Sequence, residues 1–417
     1  MAINTSLRIG LFGFGVVGEG LYKALQQTPT LQATIVKICI KNKEKKRNAP
    51  ADLFTLEKDD ILNDTSINVV VEVIDDTAAA FTIVKTALLN GKAVVSASKK
   101  MIAENLPELL QLQLQTQLPF LYEASACASI PVIRNLEEYF DNDLLHSIKG
   151  IINGSTNFIL TKMFEEKLSF TDALLLAQQL GFAESNPTLD VEGFDAANKW
   201  SILLAHAYGI VIHPNKLLFN GIQNIQSADA LVAKDKGYEI KLVASAKKLS
   251  NGKVAAYVLP QFVSSQNPLS FVRNEYNGAV IESSFADKQF FYGKGAGSFP
   301  TASAVLSDIG ALRYSYRYEY KKLYHQTPHT LDNNFYVRTY ISFENLQHIP
   351  KEKLEWVEEW HSAEGRSYIV AVLHVKHLAE SNWWREKNVS LILHEDAIIE
   401  NIDIVTVKKK SLELAGL

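Results

Sequence analysis

Apolar positions in the first third of the chain come as short runs divided by amphipathic stretches. Leu7 to Phe12 is mostly apolar and long enough for one strand buried on both faces. Val17 to Gln26 follows as a helix, with Val17, Leu21 and Leu25 on one side. Ala33 to Ile40, Ile67 to Ile74 and Lys92 to Ala97 repeat the strand pattern, and Thr82 to Asn90 reads as a helix between the last two. This alternation predicts an α/β fold built on a doubly wound parallel sheet. Such sheets bind ligands beyond the carboxyl ends of their strands. Asp75, Asp76, Ser96, Ser98 and Lys99 therefore fall where a cofactor and a substrate would meet.

Further on, Val132 to Phe140 reads as a helix and Lys149 to Ile152 as a strand. Phe158 to Glu166 and Ser169 to Leu180 are predicted helices, the second closed by Gly181. From Asp195 the pattern turns helical again, with Ala196, Trp200, Leu203 and Leu204 on one apolar face. Arg313 to Tyr324 carries tyrosines whose spacing suits a strand or a helix alike, and Gln326 to Asn334 reads as a linker. Phe335 to Phe343, Ser367 to Val375 and Val389 to His394 alternate like strands, around a helix predicted near Glu352 to Trp360.

A chain of 417 residues exceeds one core of usual size, so two or three domains are expected. Hydrophobic content of 47%, charged content of 21% and a net charge of -4 describe a soluble globular protein with no call on nucleic acid. Cys39 and Cys127 are the only cysteines, too few for a disulfide framework, which points to a reducing cytoplasm. No apolar run approaches the roughly 20 residues of a membrane helix. Met1 to Gly20 fits a first strand and turn better than a signal peptide, so the chain is expected to be intact from Met1. The histidines form no ligand cluster, and no catalytic zinc is expected.

Gly13-Phe14-Gly15-Val16-Val17-Gly18 sits between the first strand and the first helix, the context that lifts a GxGxxG pattern above coincidence. Gly13 permits the tight turn, Gly15 lets backbone approach a pyrophosphate, and Gly18 allows close helix–strand packing. The helix start adds free amides and a partial positive charge. After the second strand, where an NAD enzyme usually places an acid, stand Lys41 and Asn42, then Lys43, Lys45, Lys46 and Arg47. Lysine suits a 2′-phosphate better than a diol, which favours NADP over NAD; a solvated basic loop is the plain alternative.

Glu184, Asp190, Glu192 and Asp195 fall within twelve residues among turn formers, and Asp195 and Lys199 lie four apart on one helical face. Carbonyl reduction needs a hydride at carbon and a proton at oxygen. A lysine held by an aspartate can supply that proton, and acids nearby can grip a substrate ammonium. The plain alternative is a surface ion pair worth about 0.3 to 0.5 kcal/mol. Asn153-Gly154-Ser155-Thr156-Asn157 forms a polar loop, or equally a helix cap. Cys127 could serve an acylating dehydrogenase as nucleophile, but no histidine lies near it in sequence, and a buried structural thiol fits better.

These residues resemble homoserine dehydrogenase over about the first three-quarters of the chain. The landmarks are the N-terminal glycine turn, Glu123-Ala124-Ser125, Ile130-Pro131, Asn153 to Asn157, Glu184 to Lys199, Phe291 to Gly297 and Pro300-Thr301-Ala302-Ser303-Ala304. The resemblance implies NAD(P)-linked interconversion of L-aspartate 4-semialdehyde and L-homoserine, on the route to threonine and methionine. It implies Lys199 as proton donor and acceptor with Asp195 beside it, and Glu184, Asp190, Thr156 and Lys99 around the substrate. Ala97, Ser98, Lys99, Gly181, Glu184 and Gly297 would join Gly13 to Gly18 and Lys41 near the cofactor. A structural sodium ion would sit on backbone oxygens of Glu123, Ala126, Ala128 and Ile130. A homodimer or higher homo-oligomer is implied as well.

Some positions depart from the family pattern. Ser98 replaces an asparagine, Asp75-Asp76 a glycine pair, and Cys127-Ala128-Ser129 an alanine–glycine–glycine stretch. With no room for a kinase before Gly13, the monofunctional form is expected. The expected division is an NAD(P)-binding Rossmann domain over 1–130, completed by a returning helix near 300–315, and an α+β catalytic and dimerisation domain over 131–325. A small α+β module, ACT-like or structural, would span 335–417, so threonine feedback is open. A nucleotide-sensing regulator without catalysis is the rival from another class, and the intact Asp195/Lys199 pair speaks against it.

Overall fold

Leu7–Phe12 (β1) buries every residue but Arg8, as a strand covered on both faces must. It pairs in parallel with Ala33–Cys39 (β2) on one side and Val69–Glu72 (β4) on the other. Phe54–Thr55 (β3), Ala93–Ser96 (β5) and Phe120–Leu121 (β6) complete a six-stranded sheet of order β3-β2-β1-β4-β5-β6. That is the dinucleotide-fold order, which reverses between β1 and β4 and opens a crevice there. The helix expected from Thr82 begins earlier and runs Thr77–Leu89, because Asp76 caps it by accepting from Ala79 N at 3.0 Å. Helix Ser298–Leu312 returns from far along the chain and packs on helix Val16–Gln26.

The computed structural model describes residues 6–142, 144–325, 328–362 and 365–401. The first five residues, Gln326 and Thr327 of the expected linker, and 363–364 and 402–417 of the expected C-terminal module lie outside that description. Two compact units are formed, one of residues 1–142, 198–214 and 293–328, the other of 143–197, 215–292 and 329–417. Among the described residues no helix is long and apolar enough to cross a membrane.

The second unit is built on a mixed ten-stranded sheet. Its strands are Leu145–Ile151 (β7), Leu218–Phe219 (β8), Tyr238–Lys248 (β9), Val254–Ser264 (β10), Tyr276–Ser283 (β11), Asp287–Lys294 (β12), Tyr336–Phe343 (β13), Leu354–His361 (β14), Ser367–His374 (β15) and Val389–Ile399 (β16). The order is β12-β11-β7-β9-β10-β16-β13-β15-β14, with β8 beside β10. The C-terminal strands thus continue the middle sheet, joined where Gln261 of β10 meets Leu393 of β16. One apolar cluster spans both, from Leu218, Tyr257 and Leu259 to Ile341, Trp384 and Leu393.

Two stretches differ from their sequence reading. The helix expected near Glu352 to Trp360 is strand β14, preceded by a short turn at Lys351–Lys353. Register breaks at Leu354/Trp356 and Val357/Glu359 hide its period-two pattern, and antiparallel pairing with β15 overrides the local spacing. Arg313 to Tyr324 is neither strand nor helix but an irregular segment ending in one turn at Lys321–Tyr324. Its Tyr318 and Tyr320 are buried against Tyr122 and His206.

Candidate active site

In the first unit the glycine turn has the shape a pyrophosphate needs. Gly13 takes φ +97°, and a Cβ there would stand 2.8 Å from Val73 O. A Cβ on Gly18 would come within 2.2 Å of Gly13 O, while one on Gly15 would meet nothing within 4 Å. Gly15 caps helix Val16–Gln26 with no side chain over its first amides. A cavity of about 790 Å³ opens here, lined among others by Gly13, Phe14, Gly15, Lys41, Arg47 and Lys58. Arg47 lies over the Phe54 ring at 5.7 Å. Val16 and Val17 start the helix, and Val16 is exposed.

Ala97, Ser98 and Lys99 follow β5 along the same carboxyl edge, and Lys99 opens helix Lys99–Thr116. Sequence reasoning missed the group beneath them. Glu72, fully buried at the end of β4, accepts from Ser96 Oγ at 2.6 Å, Ser98 Oγ at 2.8 Å and Ile74 N at 2.8 Å. Burial raises its carboxyl above the usual carboxylate range, and these three donors pull the other way. The Ser98 hydroxyl is thus engaged with its own protein, at Glu72 or at Ile74 O 2.9 Å away. A lone acid closing the apolar run Val69-Val70-Val71 was the available signal.

The second unit gathers the acids. Asn153 follows β7 and caps helix Gly154–Glu165, its Oδ1 accepting from Thr156 N at 2.8 Å. Its Nδ2 donates to Asp190 Oδ1 at 2.7 Å and to Asp195 Oδ2 at 2.9 Å. The polar loop is therefore a helix cap and an acid holder at once. Thr156 is buried in the first turn, and Ser155 Oγ donates to Phe182 O at 2.6 Å. Asp190 lies on the short helix Thr188–Val191, whereas Glu184 and Gly181 stand exposed on the preceding loop. Helix Phe194–Tyr208 carries Asp195 in its first turn and Lys199 one turn later, at 5% and 7% exposure. A surface ion pair is ruled out by that burial.

The segment at Glu123 is tightly held in the first unit. Its carboxylate accepts from Ile133 N and Arg134 N, both at 2.8 Å, capping helix Val132–Glu138. Burial and the nearby Asp308 carboxylate push Glu123 up to about 8. Ala128 turns the chain at φ +45°. Cys127 is fully buried in this segment. Gly297, at φ +120°, precedes helix Ser298–Leu312.

Comparison with known proteins bears directly on this arrangement. The family model described as homoserine dehydrogenase matches residues 131–309, and that of the homoserine dehydrogenase NAD binding domain matches 13–123. The homoserine dehydrogenase of Bacillus subtilis is 37% identical over 321 residues, covering 75% of this chain and 74% of that protein. The chain belongs to the homoserine dehydrogenase family.

The Helicobacter pylori homoserine dehydrogenase is likewise 37% identical over 310 residues, 73% of each chain. A crystal structure of a homoserine dehydrogenase from Thiobacillus denitrificans aligns at TM-score 0.80 and 27% identity, covering 93% of this chain and 98% of that one. A hyperthermophilic archaeal homoserine dehydrogenase in complex with NADPH aligns at TM-score 0.63 and 26% identity, over 75% of this chain and 99% of that one. As a homoserine dehydrogenase the chain is an NAD(P)-dependent oxidoreductase. The acylating dehydrogenase and the inactive regulator find no support among these matches.

Proposed function

We propose that Lys199 exchanges the hydroxyl proton when L-homoserine and L-aspartate 4-semialdehyde interconvert, with Asp195 and Asp190 holding the substrate. The observation that carries this reading is Asn153, whose amide gathers both carboxylates at the start of the helix bearing Lys199. A buried ammonium one turn from a carboxylate is a competent general acid, and its neutral form a competent base. The bound nicotinamide supplies or accepts the hydride. Thr156, Glu184 and Lys99 complete the proposed substrate set.

NADP is the proposed cofactor. Gly13 to Gly18 would hold the pyrophosphate, and Lys41, Arg47 and Lys58 line one cavity at the end of β2, where a 2′-phosphate would meet them. The archaeal relative in complex with NADPH fits this reading. Backbone oxygens of Glu123, Ala126, Ala128 and Ile130 would supply the all-oxygen set that a hard cation such as sodium takes. With the Glu123 side chain already holding two amides, its contribution would be its carbonyl. A homodimer or larger homo-oligomer in a reducing cytoplasm completes the reading.

The test is an initial-rate assay with L-homoserine and each oxidised cofactor. Wild-type protein should turn over with a preference for NADP, and Lys199→Ala should lose a factor of about 10² to 10⁴ while still binding cofactor. Full activity in Lys199→Ala would remove the proton-transfer role.

A further inference from the structure

We propose that Asn153 is a positioning residue of this enzyme, a clamp that holds Asp190 and Asp195 together as one substrate-binding pair. The inference rests on the substrate role proposed for those two acids.

The orientation of the Asn153 amide is set by its neighbours rather than chosen. Thr156 N can only donate, and it meets one end of the amide at 2.8 Å, so that end is the oxygen. The Thr156 hydroxyl donates to the same oxygen at 2.9 Å. The other end is therefore the NH₂ group, and its two hydrogens serve the two carboxylates at 2.7 and 2.9 Å. Asn153 is 4% exposed, so these bonds are made away from competing water.

The acids come from two separate helices, Asp190 from Thr188–Val191 and Asp195 from Phe194–Tyr208. Two carboxylates meeting one nitrogen repel each other, and the two N–H bonds offset part of that repulsion. Asparagine is the residue that joins both tasks at this spot. Aspartate could keep the helix cap but has no hydrogens to give. Serine could keep the cap but lacks the reach to two acids. Behind it, Ser155 Oγ ties the same turn to Phe182 O, so the clamp stands on a fixed base.

Two substitutions separate the clamp from the cap. In Asn153→Asp and in Asn153→Ser the cap acceptor survives, so both proteins should still fold, with a melting temperature lowered by the lost carboxylate bonds, and lowered further in Asn153→Asp by the third buried charge. The KM for L-homoserine should rise at least tenfold in both, more in Asn153→Asp because a third carboxylate joins the pair. The KM for the nicotinamide cofactor should change less than twofold. A crystal structure of Asn153→Ser should show the Asp190 and Asp195 carboxylates moved apart. If homoserine KM stays within twofold of wild type, or if the two carboxylates keep their places without the amide, Asn153 is a helix cap and nothing more. A wild-type enzyme inactive on homoserine would strike the substrate reading instead, and the crystal structure would still decide the clamp.

Discussion

The Ser298 hydroxyl donates to the carbonyl of Val16 at 2.7 Å, pinning the returning helix to the helix that starts at the glycine turn. The two helices meet at Gly20, where an added Cβ would stand 2.5 Å from Ser298 Oγ and 2.9 Å from Ser298 O. The second of those is backbone and has no rotamer to escape by. Gly20→Ala should cost about 1 to 3 kcal/mol, the usual range for overpacking, read as a lowered urea midpoint. Cofactor affinity should fall with it, since the helix start is displaced.

Lys58 and Arg47 share the cavity wall with Lys41 but arise from different parts of the chain. If a 2′-phosphate sits among them, Lys58→Ala or Arg47→Ala should raise the KM for NADP about tenfold, the ~1.4 kcal/mol of one charge-assisted contact. The KM for NAD should hold within twofold. Equal effects on both cofactors would count against the phosphate.

Cys127 is fully buried, while Cys39 is partly accessible and lines the cavity at the glycine turn. Cys127→Ala should leave the homoserine-dependent rate near wild type. A thiol reagent should modify Cys39 well before Cys127 in the native protein, and protection by cofactor would place Cys39 at the cavity.

Lys241, on β9, is buried with its ammonium donating to Val272 O at 2.7 Å and Asn157 Oδ1 at 3.2 Å. Burial pushes it down to about 8, and Glu239 only partly restores it. The folded state therefore binds fewer protons here than the unfolded chain between about pH 8 and 10.5. The penalty for burying the charge is full below pH 8 and fades as pH rises. Relative to Lys241→Met, wild type should gain up to roughly 3 kcal/mol across that window. Urea unfolding of both proteins at pH 7 and near pH 10 measures the difference.

Within the tail, strands β16-β13-β15-β14 run antiparallel in the order of a split βαββαβ module. The helix expected after β13 is reduced to two short turns, Leu346–His348 and Lys351–Lys353. With that element missing, homoserine turnover should be unchanged at millimolar threonine. Inhibition at that level would make the tail a sensor.

The nucleotide-binding half was legible because its signals are local. A strand, a glycine turn and a helix follow one another without interruption, and β1, β2, β4 and β5 are short apolar runs, whereas the two-residue β3 carries no such signal. The Asp195/Lys199 spacing was equally visible, being a single helical turn. The Asn153 clamp was not, since it joins residues 37 and 42 positions apart and only the fold brings them together. Strand β10 was hidden for another reason. All but the last residue of β10 are buried, so no alternation marks it. Glu72 passed as part of a strand because its two serine partners come from elsewhere, Ser96 at the end of β5 and Ser98 just beyond it.

The seam at Gln261 and Leu393 bears on how much of this chain can be cut away. Removing everything after residue 330 would bare the flank of β10 and strip Leu218, Tyr257 and Leu259 of their cover. Such a shortened protein would expose a raw β edge above an uncovered oily surface, the usual recipe for clumping. Residues 331–401 therefore act as a wall of the second unit, without which its middle strands would stand open to water.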